Sequence, residues 1–214
     1  MILAVANVKG GAGKTTLATN IAVARSIAGR DVLLVDADNQ GSAADFTALR
    51  TEQVGKAGYV VSRLLGREVR TEVEKLAPKF EDVVIDVGGR DNEGLRAALT
   101  VADAVLIPLL PSSFDVWALD RMIGLSKDAK SLNPKLRVLA VLNAADAQGS
   151  DNAEARQLLA ETDGVESLPC QLIRRKAYRN AAAQGRSVLD ASPKDPKAAE
   201  EMNALIRAVY GASK

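Results

Sequence analysis

The stretch Ile2-Leu3-Ala4-Val5-Ala6-Asn7-Val8-Lys9-Gly10-Gly11-Ala12-Gly13-Lys14-Thr15-Thr16 decides the fold. Its first residues, Ile2 to Asn7, form a short run that is apolar on both faces, as a buried parallel strand requires. From Lys14 to Ala28 the apolar residues return at helical spacing, and Gly29 supplies a stop signal. Between strand and helix lies a glycine-rich turn ending in GKTT. Glycines let the backbone curl until several N–H groups and a helix N-terminus face one phosphate. Lys14 then supplies a point charge to the β- and γ-phosphates, and the Thr15 hydroxyl completes a Mg²⁺ shell. Gly10, Gly11, Ala12, Gly13, Lys14, Thr15 and Thr16 are therefore candidate nucleotide contacts. A turn that merely contains GKT is the competing reading, and the flanking strand and helix argue against it.

Outward from this loop, apolar β-branched runs recur at Val32 to Val35, Val83 to Val87, Ala104 to Pro108, Arg137 to Asn143 and Leu168 to Ile173. Helical spacing fills Glu93 to Ala102, Val116 to Ser131, Ala153 to Glu161 and Pro196 to Tyr210. This alternation predicts an α/β fold, a doubly wound, mostly parallel sheet with helices on both faces. Thr51 to Lys79 is the least regular part and reads as one or two short helices. The 214 residues, without a repeat or a linker, fit one domain over 1–214.

Composition narrows the chemistry. Histidine is absent and Cys170 is the only cysteine, which excludes imidazole catalysis, an internal disulfide and a four-thiolate cluster within one chain. Catalysis must run on carboxylates, lysine, hydroxyls, backbone dipoles and a hard metal ion. No apolar run reaches membrane-spanning length and no leader precedes the first strand, so a cytoplasmic protein without membrane association is expected. Residues 171–214 carry a net +5 against −4 in the first 170, an asymmetry that suggests an anionic partner; a solvated helical face is the plainer alternative.

Three further segments belong with the loop. Asp36-Ala37-Asp38-Asn39-Gln40-Gly41-Ser42 follows the second strand and places two carboxylates where they can hold metal-bound water or orient an attacking one. Val83 to Val87 contains Asp86 and runs into Gly88-Gly89, whose backbone can approach a γ-phosphate closely. Asn143 closes the strand from Arg137, with an amide suited to the paired donor and acceptor of an adenine edge. The Arg90-Asp91 pair that follows the glycines has no assigned role: an arginine finger in cis and an ion pair on the loop are both open.

Together these motifs resemble the deviant Walker ATPases, the P-loop NTPase family of ParA, Soj, ParF, MinD and the nitrogenase iron protein, whose loop reads KGGxGK[ST]T. Val8 stands where the usual P-loop has its first glycine, and Lys9 is the extra lysine. The resemblance extends from Met1 to about Val188. It implies a Mg²⁺-dependent ATPase of weak intrinsic rate, cycling between ATP and ADP. Lys9 would reach the nucleotide of a partner subunit in an ATP-bound homodimer. Lys14 and Asp38 would join it as catalytic residues, Asp38 positioning the water. Asp86 and Asp36 would serve the metal with Thr15, Gly89 would sense the γ-phosphate, and Asn143 would read adenine. The segment Ile107 to Asp115 resembles one that lies near the dimer face in relatives.

Branches of the family differ in what they attach to this switch. Cys170 alone does not fit a shared cluster, the end from Ala204 to Lys214 does not read as a membrane helix, and the loop starts too early for a preceding helix-turn-helix. A small ParA of the ParF or McdA type remains. The resemblance then implies a cytoplasmic, nucleoid-associated protein that binds nonspecific double-stranded DNA in its ATP state through Arg174, Arg175, Lys176, Arg179 and Arg186. It would position a plasmid, chromosome or protein organelle with a cargo adaptor of ParB, ParG or McdB type. The alternative is a metabolic or regulatory P-loop ATPase acting without DNA.

Overall fold

The computed structural model describes residues 1–111, 114–148 and 151–211, with the side chains of 114–116 left out. Ser112 and Ser113, within the segment expected near a dimer face, lie outside the described residues. Seven strands form one sheet: β1 (Ile2–Val5), β2 (Val32–Ala37), β3 (Val60–Arg63), β4 (Asp82–Val87), β5 (Ala104–Leu109), β6 (Arg137–Ala145) and β7 (Glu166–Ile173). Their order is β3-β2-β4-β1-β5-β6-β7, and every pairing is parallel. The sheet expected to be mostly parallel is wholly so.

Parallel strands need crossovers, and α1 (Lys14–Ile27), α2 (Ser42–Val54), α3 (Glu68–Leu76), α4 (Glu93–Val101), α5 (Phe114–Lys130) and α6 (Asp151–Glu161) lie in them, while α7 (Lys176–Ala182) and α8 (Pro196–Tyr210) follow β7. Successive strand residues feed opposite cores. Ala4, Leu33, Val35 and Ile85 pack with Leu95 and Leu99 of α4 and Met122 of α5. Leu3, Val5, Leu34 and Val84 pack with Leu17 and Ile21 of α1 and Met202 and Leu205 of α8. Burial on both faces explains why the strands read as continuous apolar runs. α5 turns Trp117 outward, 77% exposed.

The region from Thr51 to Lys79 departs from expectation. It holds the end of α2, the strand β3, then α3 and a single 3₁₀ turn at Ala77–Lys79. β3 is an edge strand paired only to β2, and none of its four residues is buried, so it lacks the apolar run that marks its neighbours. α2 buries Ala43, Thr47 and Arg50, a face too polar to give an amphipathic signal. Tertiary contacts hold it instead: the Asp36 carboxylate accepts the Ala44 N–H at 2.8 Å, and the Thr47 and Tyr59 hydroxyls meet at 3.0 Å.

At the amino end of β4, Arg25 of α1 donates to Asp82 at 2.6 Å with both side chains buried, and its guanidinium lies 4.3 Å from the Tyr210 ring centroid. This contact ties α1, β4 and α8 together. Among the described residues, removing Arg25 leaves the buried Asp82 only the Met1 ammonium at 3.5 Å, and breaking such a buried pair costs about 3 kcal/mol. Arg25→Ala should therefore lower the urea-unfolding free energy by about that much, while leaving nucleotide binding of the folded protein intact.

Candidate nucleotide site

The order of the sheet reverses around β1, with β4 on one side and β5 on the other. Crevices beyond the carboxyl ends of strands at such a switch point are where open α/β sheets bind ligands. The loop after β1 sits there, and Gly13 caps α1 with φ +87°. A side chain at Gly13 would be strained by that φ and would also run into the Asn143 amide. Asn7, buried at the end of the β1 run, donates to the Pro108 carbonyl at 2.8 Å and accepts the Lys9 N–H at 2.9 Å. It moors the entry of the loop to β5. Sequence reading passed over Asn7, although a buried-strand pattern ending in a polar residue was the available signal.

Lys14 is buried and its Nζ donates to the Lys9 carbonyl at 3.0 Å. Burial pulls the ammonium below its ordinary range, against the opposing charges of Asp86 and Asp38. Gly89 backs onto the same group: a Cβ there would lie 3.1 Å from Lys14 Nζ and 3.2 Å from Gly10 Cα. A Cβ at Gly88 would lie 3.3 Å from the Asp38 carboxylate. Asp38 Oδ1 accepts the Gln40 N–H at 3.0 Å. The Asp36 carboxylate is fully buried and accepts the backbone N–H of Asp38 at 3.2 Å and of Ala44 at 2.8 Å. Asp36 thus shapes the loop that carries Asp38.

Asp86 is 1% exposed, and neither of its carboxylate oxygens has a hydrogen-bond partner. Burial pushes its carboxyl up to about 7; the Thr15 hydroxyl and the Lys14 charge pull the other way, while Asp36 and Asp38 add to the push. An orphaned carboxylate beside a threonine hydroxyl fits the donor chemistry of Mg²⁺. No group of three or more His, Cys, Asp or Glu converges on one point among the described residues.

The structure thus brings Lys9, Gly10, Ala12, Gly13, Lys14, Thr15, Asp36, Asp38, Asp86, Gly89 and Asn143 to one end of the sheet. Gly11 lies in the same turn, exposed, and the Thr16 carbonyl accepts from Asn20 at 2.7 Å. Asn143 donates to the Ala12 carbonyl at 2.7 Å, so in this state its amide braces the loop. The five basic residues lie apart. Arg175 is held by Glu201 at 2.6 Å, half-buried, and Arg186 donates to the Asp190 carbonyl at 3.0 Å. Arg174 is exposed and reaches Asp146 only at 3.9 Å. Lys176 and Arg179 are exposed on α7.

A model of the CobQ/CobB/MinD/ParA nucleotide binding domain matches residues 3–188. The chain is 35% identical over 208 residues to the maintenance of carboxysome distribution protein A of Halothiobacillus neapolitanus, covering 97% of this chain and 95% of that one. It is 31% identical to the chromosome partitioning protein ParA of Caulobacter vibrioides, covering 66% and 68%. Its fold matches that of apo McdA from Cyanothece with a TM-score of 0.81 at 19% identity, over 97% and 98% of the two chains.

The buried Asp86 makes stability depend on pH. An ordinary carboxyl ionises near 3.8, whereas this one holds its proton to about 7 in the fold. The stability it permits is therefore full below the ordinary value and is lost as pH rises through 7. Asp86→Asn should match the parent near pH 4 and melt above it at pH 8 without nucleotide. It should also lose the stabilisation that Mg²⁺ with ATP gives the parent. A thermal melt series over pH, with and without Mg-ATP, checks both.

Proposed function

Because the chain belongs to the CobQ/CobB/MinD/ParA family of nucleotide-binding domains, we propose that it is a single-domain ParA-type ATPase that positions a carboxysome-like protein organelle over DNA. The observation that carries this reading is the pairing, in one loop, of a buried Lys14 with the less buried Lys9 whose carbonyl it binds. Lys14 serves the phosphates of its own nucleotide, and Lys9 serves those of a second copy. ATP thus joins two subunits, and hydrolysis parts them.

In that cycle Lys14 neutralises charge on the β- and γ-phosphates, and the backbone of Gly10 to Gly13 holds them in place. Thr15 and Asp86 would hold Mg²⁺, which would supply charge neutralisation at the phosphates, and Asp36 contributes its charge nearby. Asp38 orients the water, with Gly88 and Gly89 lying between it and Lys14. Asn143 moves from the Ala12 carbonyl toward the adenine edge. The cargo rests on the 35% identity, nearly end to end, with the Halothiobacillus protein. An adaptor of McdB, ParB or ParG type stimulates hydrolysis, and the protein works in the cytoplasm on the nucleoid. No described helix is long and apolar enough to cross a membrane.

The DNA surface narrows from five residues to three. Arg175 is balanced by Glu201, which also accepts the Ile173 N–H at 3.1 Å, and Arg186 braces its own turn. Arg174, Lys176 and Arg179 remain for phosphates. A groove of about 590 Å³ between α7 and the start of α8 adds Lys194 and Lys197 beside Lys176. Contacts of this kind carry no sequence information and weaken with salt.

Lys14→Ala should abolish ATP binding, whereas Lys9→Ala should still bind ATP yet remain monomeric by light scattering. A Lys9→Ala dimer equal to the parent's would remove the trans role. Replacing Lys176 and Arg179 by Glu should weaken binding to a mixed-sequence duplex at least about tenfold in ATP and leave dimerisation unchanged. Undiminished binding across a salt titration would move the DNA surface elsewhere. Equal binding in ATP and ADP would favour the alternative of a metabolic or regulatory ATPase.

A further inference from the structure

Asp91 stands two residues beyond Gly89 and belongs to none of the motifs. Its carboxylate is gripped from two helices: Arg96 of α4 donates through Nε and a terminal nitrogen, each at 2.9 Å, and Arg121 of α5 donates at 2.6 Å. The hydrogen bonds from Arg96, joined by Arg121, hold its carboxyl below the usual range against the push of desolvation. The next residue, Asn92, caps α4 by accepting the Leu95 N–H at 2.9 Å. Arg90, between Asp91 and the glycines, is exposed.

The segment from Gly88 to Asn92 is thus pinned at both ends. Its near end packs against Asp38, Lys14 and the backbone of Gly10. Its far end is fixed to α4 and α5 through Asp91. Arg96 and Arg121 are more than half exposed, and solvent screening leaves ion pairs of such exposure little to add to stability. A three-element junction worth so little to folding is better placed to set a position. A shift of about 1 Å at a reacting centre can cost about a hundredfold in rate, and only Arg90 separates the clamp from the glycine that backs onto Lys14.

We propose that Asp91, held by Arg96 and Arg121, is a positioning residue for ATP hydrolysis: it fixes the Gly88–Gly89 backbone between Asp38 and Lys14. The proposal rests on the ATPase reading above. The clamp acts on alignment of the attacking water and leaves the ground-state nucleotide contacts of the Gly10–Thr16 loop alone. Arg121 lies on the same outward face of α5 as Trp117, one helical turn on.

The test compares steady-state hydrolysis, ATP affinity and melting temperature for the full chain, Asp91→Asn, Arg121→Asp, and the reversed pair Asp91→Arg with Arg121→Asp. Arg70→Ala, which breaks a similarly exposed pair with Glu74 on α3, is the control. Asp91→Asn and Arg121→Asp should each lower kcat at least about fivefold with KM and melting temperature nearly unchanged, as expected for lost alignment rather than lost binding. The reversed pair should recover part of the loss, and the control should match the parent. Parental kcat in both single variants overturns the clamp, as does a loss of kcat that only follows a loss of folded protein. A parent that binds but never hydrolyses ATP, alone or with DNA, overturns the ATPase reading instead.

Discussion

The site is built around a charge imbalance. Lys14 is its buried cation, and around it stand the carboxylates of Asp36, Asp38 and Asp86. Backbone N–H groups satisfy Asp36 directly, and burial keeps Asp86 near its point of ionisation. The carboxylates outnumber the buried ammonium they surround, and neither Asp86 oxygen has a hydrogen-bond partner. A divalent cation beside Asp86 would offset that surplus together with the charge of a nucleotide.

The sheet makes that arrangement possible. The inner parallel strands, buried on both faces, leave their polar business to the loops at one end. Because β4 and β5 flank β1, the loops that follow all three converge, and Asn143 arrives from β6. The contacts that hold α1, α2 and α4 in place begin at residues adjoining the site: Gly13, Asp36 and Asn92. A change at the phosphates therefore meets the starts of three helices at once.

What the sequence made legible follows from which forces were local. The Gly10–Thr16 loop, the core strands and Asp86 could be read because glycine, apolar runs and a carboxylate at a strand end signal themselves within a few residues. β3 and α2 could not. β3 exists by pairing with β2, and α2 by contacts such as Asp36 to Ala44 that span many residues or face a partner strand. The basic surplus of residues 171–214 was visible as a count, but the partners of its members were not: Glu201 neutralises Arg175 from a helix 26 residues away. From the sequence, Arg90-Asp91 read as an ion pair on the loop or as an arginine finger, and the structure instead pairs Asp91 with Arg96 and Arg121 from two helices outside the loop.

Trp117 is the only tryptophan in the chain, and it stands on α5 with 77% of its surface in water. The ultraviolet emission of the whole protein therefore comes almost entirely from one indole outside the core. Its colour and quenching by iodide report on the α5 face alone, with no label attached and no background from a buried ring. Anything that binds over that face announces itself spectroscopically, and the kinetics of its arrival and departure can be followed in the native chain.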